Sequence, residues 1–180
     1  MCKHSPRLVF LTGAASSGNM GGLAGADKHC NQAAAKQPGI TGTYRAWLLV
    51  DGQSLADRFP EFVAPAAWSF TNTSAGLLAK SFAELVQLGP SEPVAFTEGG
   101  DAVPEAAVWT GITKDGLAAG GDCSQWTSEA GSAALVGYSG YVPNVGPDAL
   151  QWRIERQWTD IGSKYPCTEH YRFYCVQVAD

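Results

Sequence analysis

The chain reads as an α+β protein in which short strands near both ends bracket two helices and a long loop region. Three observations carry that reading. First, Arg7 to Thr12 and His170 to Val178 are rich in β-favouring residues, the second segment alternating Tyr171, Phe173 and Cys175 against Arg172, Tyr174 and Val176. Second, the stretch after Gly22 sets Leu23, Ala26, Cys30, Ala33 and Ala34 at helical spacing, so one stripe faces a core. Third, 21 Gly and 10 Pro with only 16% charged residues suit loops ordered by packing more than by surface charge.

Taken in order, the opening strand ends at Gly13, and Ser16-Ser17-Gly18-Asn19 turns into the first helix. Asp27 near its start and Lys36 near its end suit the helix dipole, with Asp27 expected to serve helix initiation, and Pro38-Gly39 stops the element. Gly42 to Val50 is a second strand closed by Asp51-Gly52, with Tyr44, Ala46 and Leu48 on one face and Arg45, Trp47 and Leu49 on the other. Ala56 to Asn72 is irregular, carrying Pro60, Pro65 and the aromatics Phe59, Phe62, Trp68 and Phe70. Leu77 to Leu88 predicts a second helix on the spacing of Leu78, Phe82, Leu85 and Leu88, ended by Gly89-Pro90. Val94 to Thr97, Val108 to Thr110 and Cys123 to Thr127 predict short strands, and Trp47, Trp109 and Trp126 within these motifs are assigned to the core. Ser128 to Pro166 has little periodicity but holds Tyr138, Tyr141, Trp152, Trp158 and Tyr165. A connection of that length inside a compact domain is usually functional or poorly ordered, and the aromatics favour order.

With 180 residues, 45% of them hydrophobic, one core suffices, and the chain divides into a tail over residues 1–6 and a single domain over 7–180. The net charge of −5 and the absence of any Lys/Arg run argue against nucleic acid, heparin-like polyanions and acidic membranes, which need a basic footprint. No apolar run approaches the ~18 residues of a membrane span. The N-terminus carries no signal-peptide core, so any leader was removed or lies outside this sequence.

The five cysteines are Cys2, Cys30, Cys123, Cys167 and Cys175. No C-x-x-C pair exists and His4, His29 and His170 are scattered, which gives a structural zinc site little support. Two disulfides among four of the cysteines, in any of three pairings, place the protein outside the cytosol. Cys2, the odd one, is a free or intermolecular thiol, a tail thiol without a role, or the lipid-bearing first residue of a bacterial lipoprotein.

The opening strand, Ser17-Gly18-Asn19-Met20, Gly22-Leu23-Ala24-Gly25-Ala26-Asp27 with Cys30, Gly42 to Leu48, Val108-Trp109-Thr110-Gly111, Cys123-x-x-Trp126 and Cys167-x7-Cys175 form an ordered set. From about Leu8 to Gln177 this set resembles collagen-derived endostatin, and still more closely an uncharacterised family of bacterial secreted domains with the GLAGAD…C signature. The resemblance implies the C-type lectin-like (endostatin-like) fold: small twisted antiparallel sheets, two helices and a long loop region. It also implies nested bridges, Cys30 with Cys175 and Cys123 with Cys167. Endostatin's zinc-binding histidine cluster and surface arginine cluster have no counterpart here, so the fold is expected to transfer and those activities are not.

Sugar-binding C-type lectins take calcium oxygens from a Pro-Asn loop and a Trp-Asn-Asp strand, and Pro143-Asn144 and Trp158-x-Asp160 are similar. Val142 and Thr159 stand where two further ligands belong, which weakens a site that wants six to eight oxygens. The tentative calcium set is Asn144, Glu155 and Asp160, calcium being the only cofactor the pattern admits. The candidate ligand-binding residues are Tyr138, Tyr141, Asn144, Asp148, Trp152, Glu155, Trp158 and Asp160, the aromatics offering a sugar-stacking or protein-contact surface. Catalysis finds no footing. Gly137-Tyr138-Ser139-Gly140-Tyr141 lacks the final Gly of a nucleophile elbow, and H-E-x-x-H, P-loop and G-x-G-x-x-G patterns are absent. The expectation is an extracellular or cell-surface, adhesin-like module without enzymatic activity that recognises a glycan or surface protein through residues 128–166. The alternative is an oligomeric assembly domain such as a fibre tip.

Overall fold

The computed structural model of the protein describes residues 5–63, 68–74, 76–130, 132–139 and 157–180. In chain order its elements are β1 (Arg7–Leu11), α1 (Gly22–Ala35), β2 (Thr43–Ala46), α2 (Leu55–Arg58), a 3-10 turn (Pro60–Phe62), β3 (Phe70–Thr71), β4 (Leu77–Ala79), α3 (Phe82–Leu88), β5 (Ala107–Trp109), a turn (Cys123–Trp126), β6 (Ala133–Tyr138), β7 (Lys164–Pro166) and β8 (Arg172–Ala179). They make a mixed α and β protein, in keeping with the α+β expectation, but in place of small antiparallel sheets and two helices there are one eight-stranded sheet, with β1–β3 and β5–β8 parallel, and three helices among the described residues.

The last strand is the axis of that sheet. β1 pairs antiparallel with it, Val9 opposite Val176, while β2 sets Arg45 against the same Val176 from the other edge. β5 runs parallel to the start of β8, with Trp109 opposite Phe173. β3 and β4 extend the sheet beyond β1, and β6 and β7 extend it beyond β5.

Period-two alternation along β1, β2 and β8 divides the apolar residues between two cores. Val9, Leu11, Trp47, Leu49, Tyr174 and Val176 face an aromatic core with Phe59, Phe62, Phe70, Phe82 and Trp158. Phe10, Tyr44, Ala46, Leu48, Phe173 and Cys175 face α1, with Trp109 and Trp126. β2 ends at Ala46, short of the predicted Gly42 to Val50, yet the predicted division of this stretch between two faces holds through Leu49, and Trp47, Trp109 and Trp126 are each fully buried. α1 turns Ala26, Cys30, Ala33 and Ala34 into the second core.

The GLAGAD stretch has a tertiary reason for its small residues. A side chain on Gly25 would overlap the Met20 carbonyl, so only glycine lets the helix start this close to the preceding turn. Asp27 corrects the sequence expectation, since it lies beyond the first turn and initiates nothing. Its Oδ1 accepts from Ala46 N–H at 2.8 Å and from the Arg58 guanidinium, tying α1 to β2 and α2. Asn31 completes the tie as a surrogate strand, donating to Tyr44 O at 2.8 Å and accepting from Tyr44 N–H at 2.9 Å.

Three other expectations change. Leu77 to Leu88 is a strand followed by a helix, because Leu77–Ala79 pairs with β3 and Ser81 Oγ caps the helix by accepting from Glu84 N–H at 3.0 Å. Val94 to Thr97 contributes only single bridges, Leu11 to Thr97 and Phe96 to Ala102. Cys123 to Thr127 is not a strand but a tight turn, described below.

Two buried phenols make stability depend on alkali. Tyr44 is 1% exposed and donates to Thr41 O at 3.0 Å, and burial pushes its pKa up to about 12 despite the opposing charge of Arg7. Tyr174, fully buried, is pushed up by the same cause and donates to Tyr138 O at 3.0 Å. Above pH 10 the unfolded phenols lose protons that the folded ones keep, so stability is retained up to there and falls as pH rises. Tyr44 alone should account for about 2 kcal/mol by the time the pH reaches its own pKa. Chemical denaturation across this range should give a shallower fall for Tyr44→Phe than for the wild type, and equal slopes would refute the assignment.

Candidate functional site

The long connection is anchored at both ends to the same strand pair. Tyr138 N–H donates to Gln157 O at 2.8 Å, and Ile161 N–H donates to Val136 O at 3.1 Å, so the chain leaves β6 and re-enters beside it. β7 then pairs with β6, Ala134 opposite Tyr165, and the Cys123–Cys167 disulfide closes the base. Gly18 fits against that bridge because a side chain there would collide with Cys123 and Cys167, and its N–H donates to Cys167 O at 2.8 Å. With Cys30–Cys175 the two bridges are nested, as the resemblance implied. Within Ser128 to Pro166, β6 and β7 are strands that the sequence left unassigned, because Ala133 to Tyr138 is a continuous apolar run and not an alternating one.

The turn before this region is left-handed. Cys123, Ser124, Gln125 and Trp126 have φ of 53°, 54°, 59° and 62°, a conformation that costs L-residues about 1–2 kcal/mol each. Trp126 N–H donates to Asp122 O at 2.6 Å and Thr127 N–H to Cys123 O at 3.1 Å, closing one left-handed helical turn. The Asp122 carboxylate accepts from Gln125 N–H at 2.8 Å and Asp51 N–H at 3.0 Å, and the Trp126 indole donates to Leu49 O at 2.8 Å. These ties hold the turn, with Ser124 and Gln125 exposed at its tip.

The sequence-predicted residues are dispersed. Trp158 is 2% exposed and packs on Trp47 and Tyr174 at centroid distances of 5.0 and 5.4 Å, so it builds the aromatic core and offers no face to a ligand. Asp160 spends both carboxylate oxygens on the backbone, accepting from Lys114 N–H at 3.1 Å and Gly162 N–H at 2.6 Å. Trp158 therefore does not stand as the stacking surface the sequence anticipated, whereas Asp160 serves two loop backbones with one lone pair of each oxygen. Among the described residues no group of three His, Cys, Asp or Glu side chains is set to hold a metal. Tyr141, Asn144, Asp148, Trp152 and Glu155 lie outside the described residues.

Tyr138 is half-buried at the point where the connection departs, and its phenol is pushed up by burial, by Tyr165 and by Glu105. Two tyrosines absent from the predicted set join it on the same sheet face. Tyr165 meets Tyr171 edge-on at 5.7 Å, and Tyr171 meets Trp109 edge-on at 4.9 Å. Their parity relative to Cys167 and Phe173 was legible, but only the β6–β7 register brings Tyr165 to the row of Tyr138.

No helix among the described residues is long and apolar enough to cross a membrane. No curated protein matches the chain. A family model described as "Protein of unknown function (DUF1554)" matches residues 13–143, which include the GLAGAD helix, the β2 segment and the left-handed turn. That match spans well over half of the 180 residues, and the chain belongs to this family.

Proposed function

We propose that the protein is an extracellular binding module without enzymatic activity, built on the C-type lectin-like fold and recognising a glycan or surface protein through residues 128–166. The observation that carries this reading is the Tyr138 to Gln157 backbone bond above the Cys123–Cys167 bridge. A long connection whose ends meet on a rigid strand pair can vary in sequence without cost to the core, which is how binding loops are commonly mounted. Nested disulfides favour an oxidising compartment, and Cys2 supplies a point for lipid anchoring at a cell surface.

Because its ends are already bonded, residues 140–156 should be replaceable by a short Gly-Ser linker with the fold retained. On a glycan array and a panel of surface-protein extracts, with calcium and with EDTA, the wild type should bind and the linker variant should not. A folded variant that binds like the wild type would place recognition elsewhere. The alternative of an assembly domain draws on Val63 and Leu117, 59% and 52% exposed beside one groove. Light scattering decides it, a defined oligomer supporting assembly and a monomer opposing it.

A further inference from the structure

Beyond the end of β1 lies a cleft of about 180 Å3, lined by Gly13, by His29 and Gln32 on α1 and Lys36 at its C-cap, by Glu98 and by the edge of Phe173. None of these residues belongs to the set assigned above to glycan or protein recognition. The volume falls below the ~300–1,000 Å3 of pockets for drug-sized ligands, which restricts an occupant to a small molecule.

The polar groups of the cleft are fixed by the fold. Gly13 N–H donates to Glu98 Oε2 at 2.7 Å. The carboxylate lies where a Gly13 side chain would stand, an added Cβ coming within 2.8 Å of Oε1, so the absence of a side chain creates its seat. Oε1 then has no hydrogen-bond partner among the described residues. Across from it, the His29 ring stacks over Phe173 with centroids 6.4 Å apart and planes 26° apart, which holds the imidazole at the rim. Gln32 and Lys36 follow His29 on the same helix face at spacings of three and seven, so all three reach the same side.

Lys36 and Glu98 line one cleft without pairing. Among the described residues the ion pairs are Arg7 with Asp180, Arg45 with Glu61 and Arg58 with Asp27, none of them in this cleft. Opposite charges that face one cleft without pairing leave two complementary half-sites. An ammonium group can donate to Glu98 Oε1, and a carboxylate can accept from Lys36 and the Gln32 amide, each as a charge-assisted bond. A free phosphate would meet the Glu98 carboxylate and be repelled, and a metal ion would find too few ligands. We infer that this cleft binds a small zwitterion of the α-amino acid class, its ammonium on Glu98, its carboxylate toward Lys36 and Gln32, and its side chain leaving past the exposed His29 ring.

Isothermal titration calorimetry of the intact protein with each proteinogenic L-amino acid, and with methylamine and acetate as half-ligands, tests the inference. At least one amino acid should bind, with each half-ligand weaker by about tenfold or more. Glu98→Gln and Lys36→Met should each weaken that binding about tenfold or more, the worth of one charge-assisted hydrogen bond. Gly13→Ala, which alters no charge, should weaken it as well by pushing the carboxylate off its seat. The charge variants sit at the surface and should melt as the wild type does, so loss of binding in them is not loss of fold. Absence of heat from every amino acid would overturn the inference. So would half-ligands that bind as well as the whole, or Glu98→Gln and Lys36→Met variants that bind unchanged.

Discussion

Cys30→Ala combined with Cys175→Ala should destabilise the protein by up to about 5 kcal/mol, more than any single surface change. The bridge closes a separation of 145 residues, and its entropic effect on the unfolded chain grows with the logarithm of that length. The inner bridge, spanning 44 residues, lies inside this loop and shortens it to about a hundred, so with the inner bridge intact the expected loss is nearer 4.7 kcal/mol. Cys123→Ala with Cys167→Ala should cost less, about 4 kcal/mol as an upper figure from its shorter loop. Its removal also frees one end of the left-handed turn, and any relaxation there recovers part of the 1–2 kcal/mol per residue held in it. Urea unfolding of the two double variants under oxidising conditions should therefore rank the outer pair as the more damaging. A larger loss from the inner pair would mean that Cys123–Cys167 organises the native state itself, beyond its effect on chain entropy.

Trp47→Ala should cost about 3–5 kcal/mol, the range for emptying a large aromatic position in a core that cannot collapse. Trp47 is fully buried and touches Phe59, Trp158 and Phe82 at centroid distances of 5.1, 5.0 and 6.1 Å, rings drawn from three separate parts of the chain. Those neighbours are themselves stacked, Phe59 on Phe62 at 6.0 Å, so none can swing into the vacated space without breaking another contact. Trp47→Phe should behave very differently. The indole Nε1 is buried with no hydrogen-bond partner among the described residues, and phenylalanine removes that unsatisfied donor while keeping most of the ring. Thermal denaturation should show Trp47→Phe losing less than half of what Trp47→Ala loses. If the two lost the same, the indole nitrogen would have a partner in solution.

The fates of individual residues show where sequence reasoning held. Leu23, Ala26, Cys30 and Ala33 marked α1 because helical periodicity is a local property of the chain. The faces of β2 were readable for the same reason, alternation being set by strand geometry alone. The pairing of the four half-cystines had three solutions by counting, and only the resemblance selected the nested one. Trp158 shows the limit. An aromatic in a long aperiodic stretch reads the same whether it faces solvent or a core, and the choice falls to Trp47 and Tyr174, far from it in sequence. Asp160 reads as a calcium ligand, and only the fold shows that Lys114 N–H, from another loop, donates to its carboxylate.

By itself the sequence determined the elements whose cause lies within a few residues: the two terminal strands and the first helix. The tertiary structure decided everything whose cause is a distant backbone. Gly25 is required by the Met20 carbonyl, and Asp27 serves β2 and Arg58 instead of its own helix. Cys123 to Trp126 abandons the strand its composition favours, because a bridge, an Asp122 cap and a buried indole together offset the left-handed strain. Glu98 becomes a fixed carboxylate only because Gly13, 85 positions earlier, leaves it room. Close packing brings such partners within hydrogen-bond reach at separations that local pattern cannot encode.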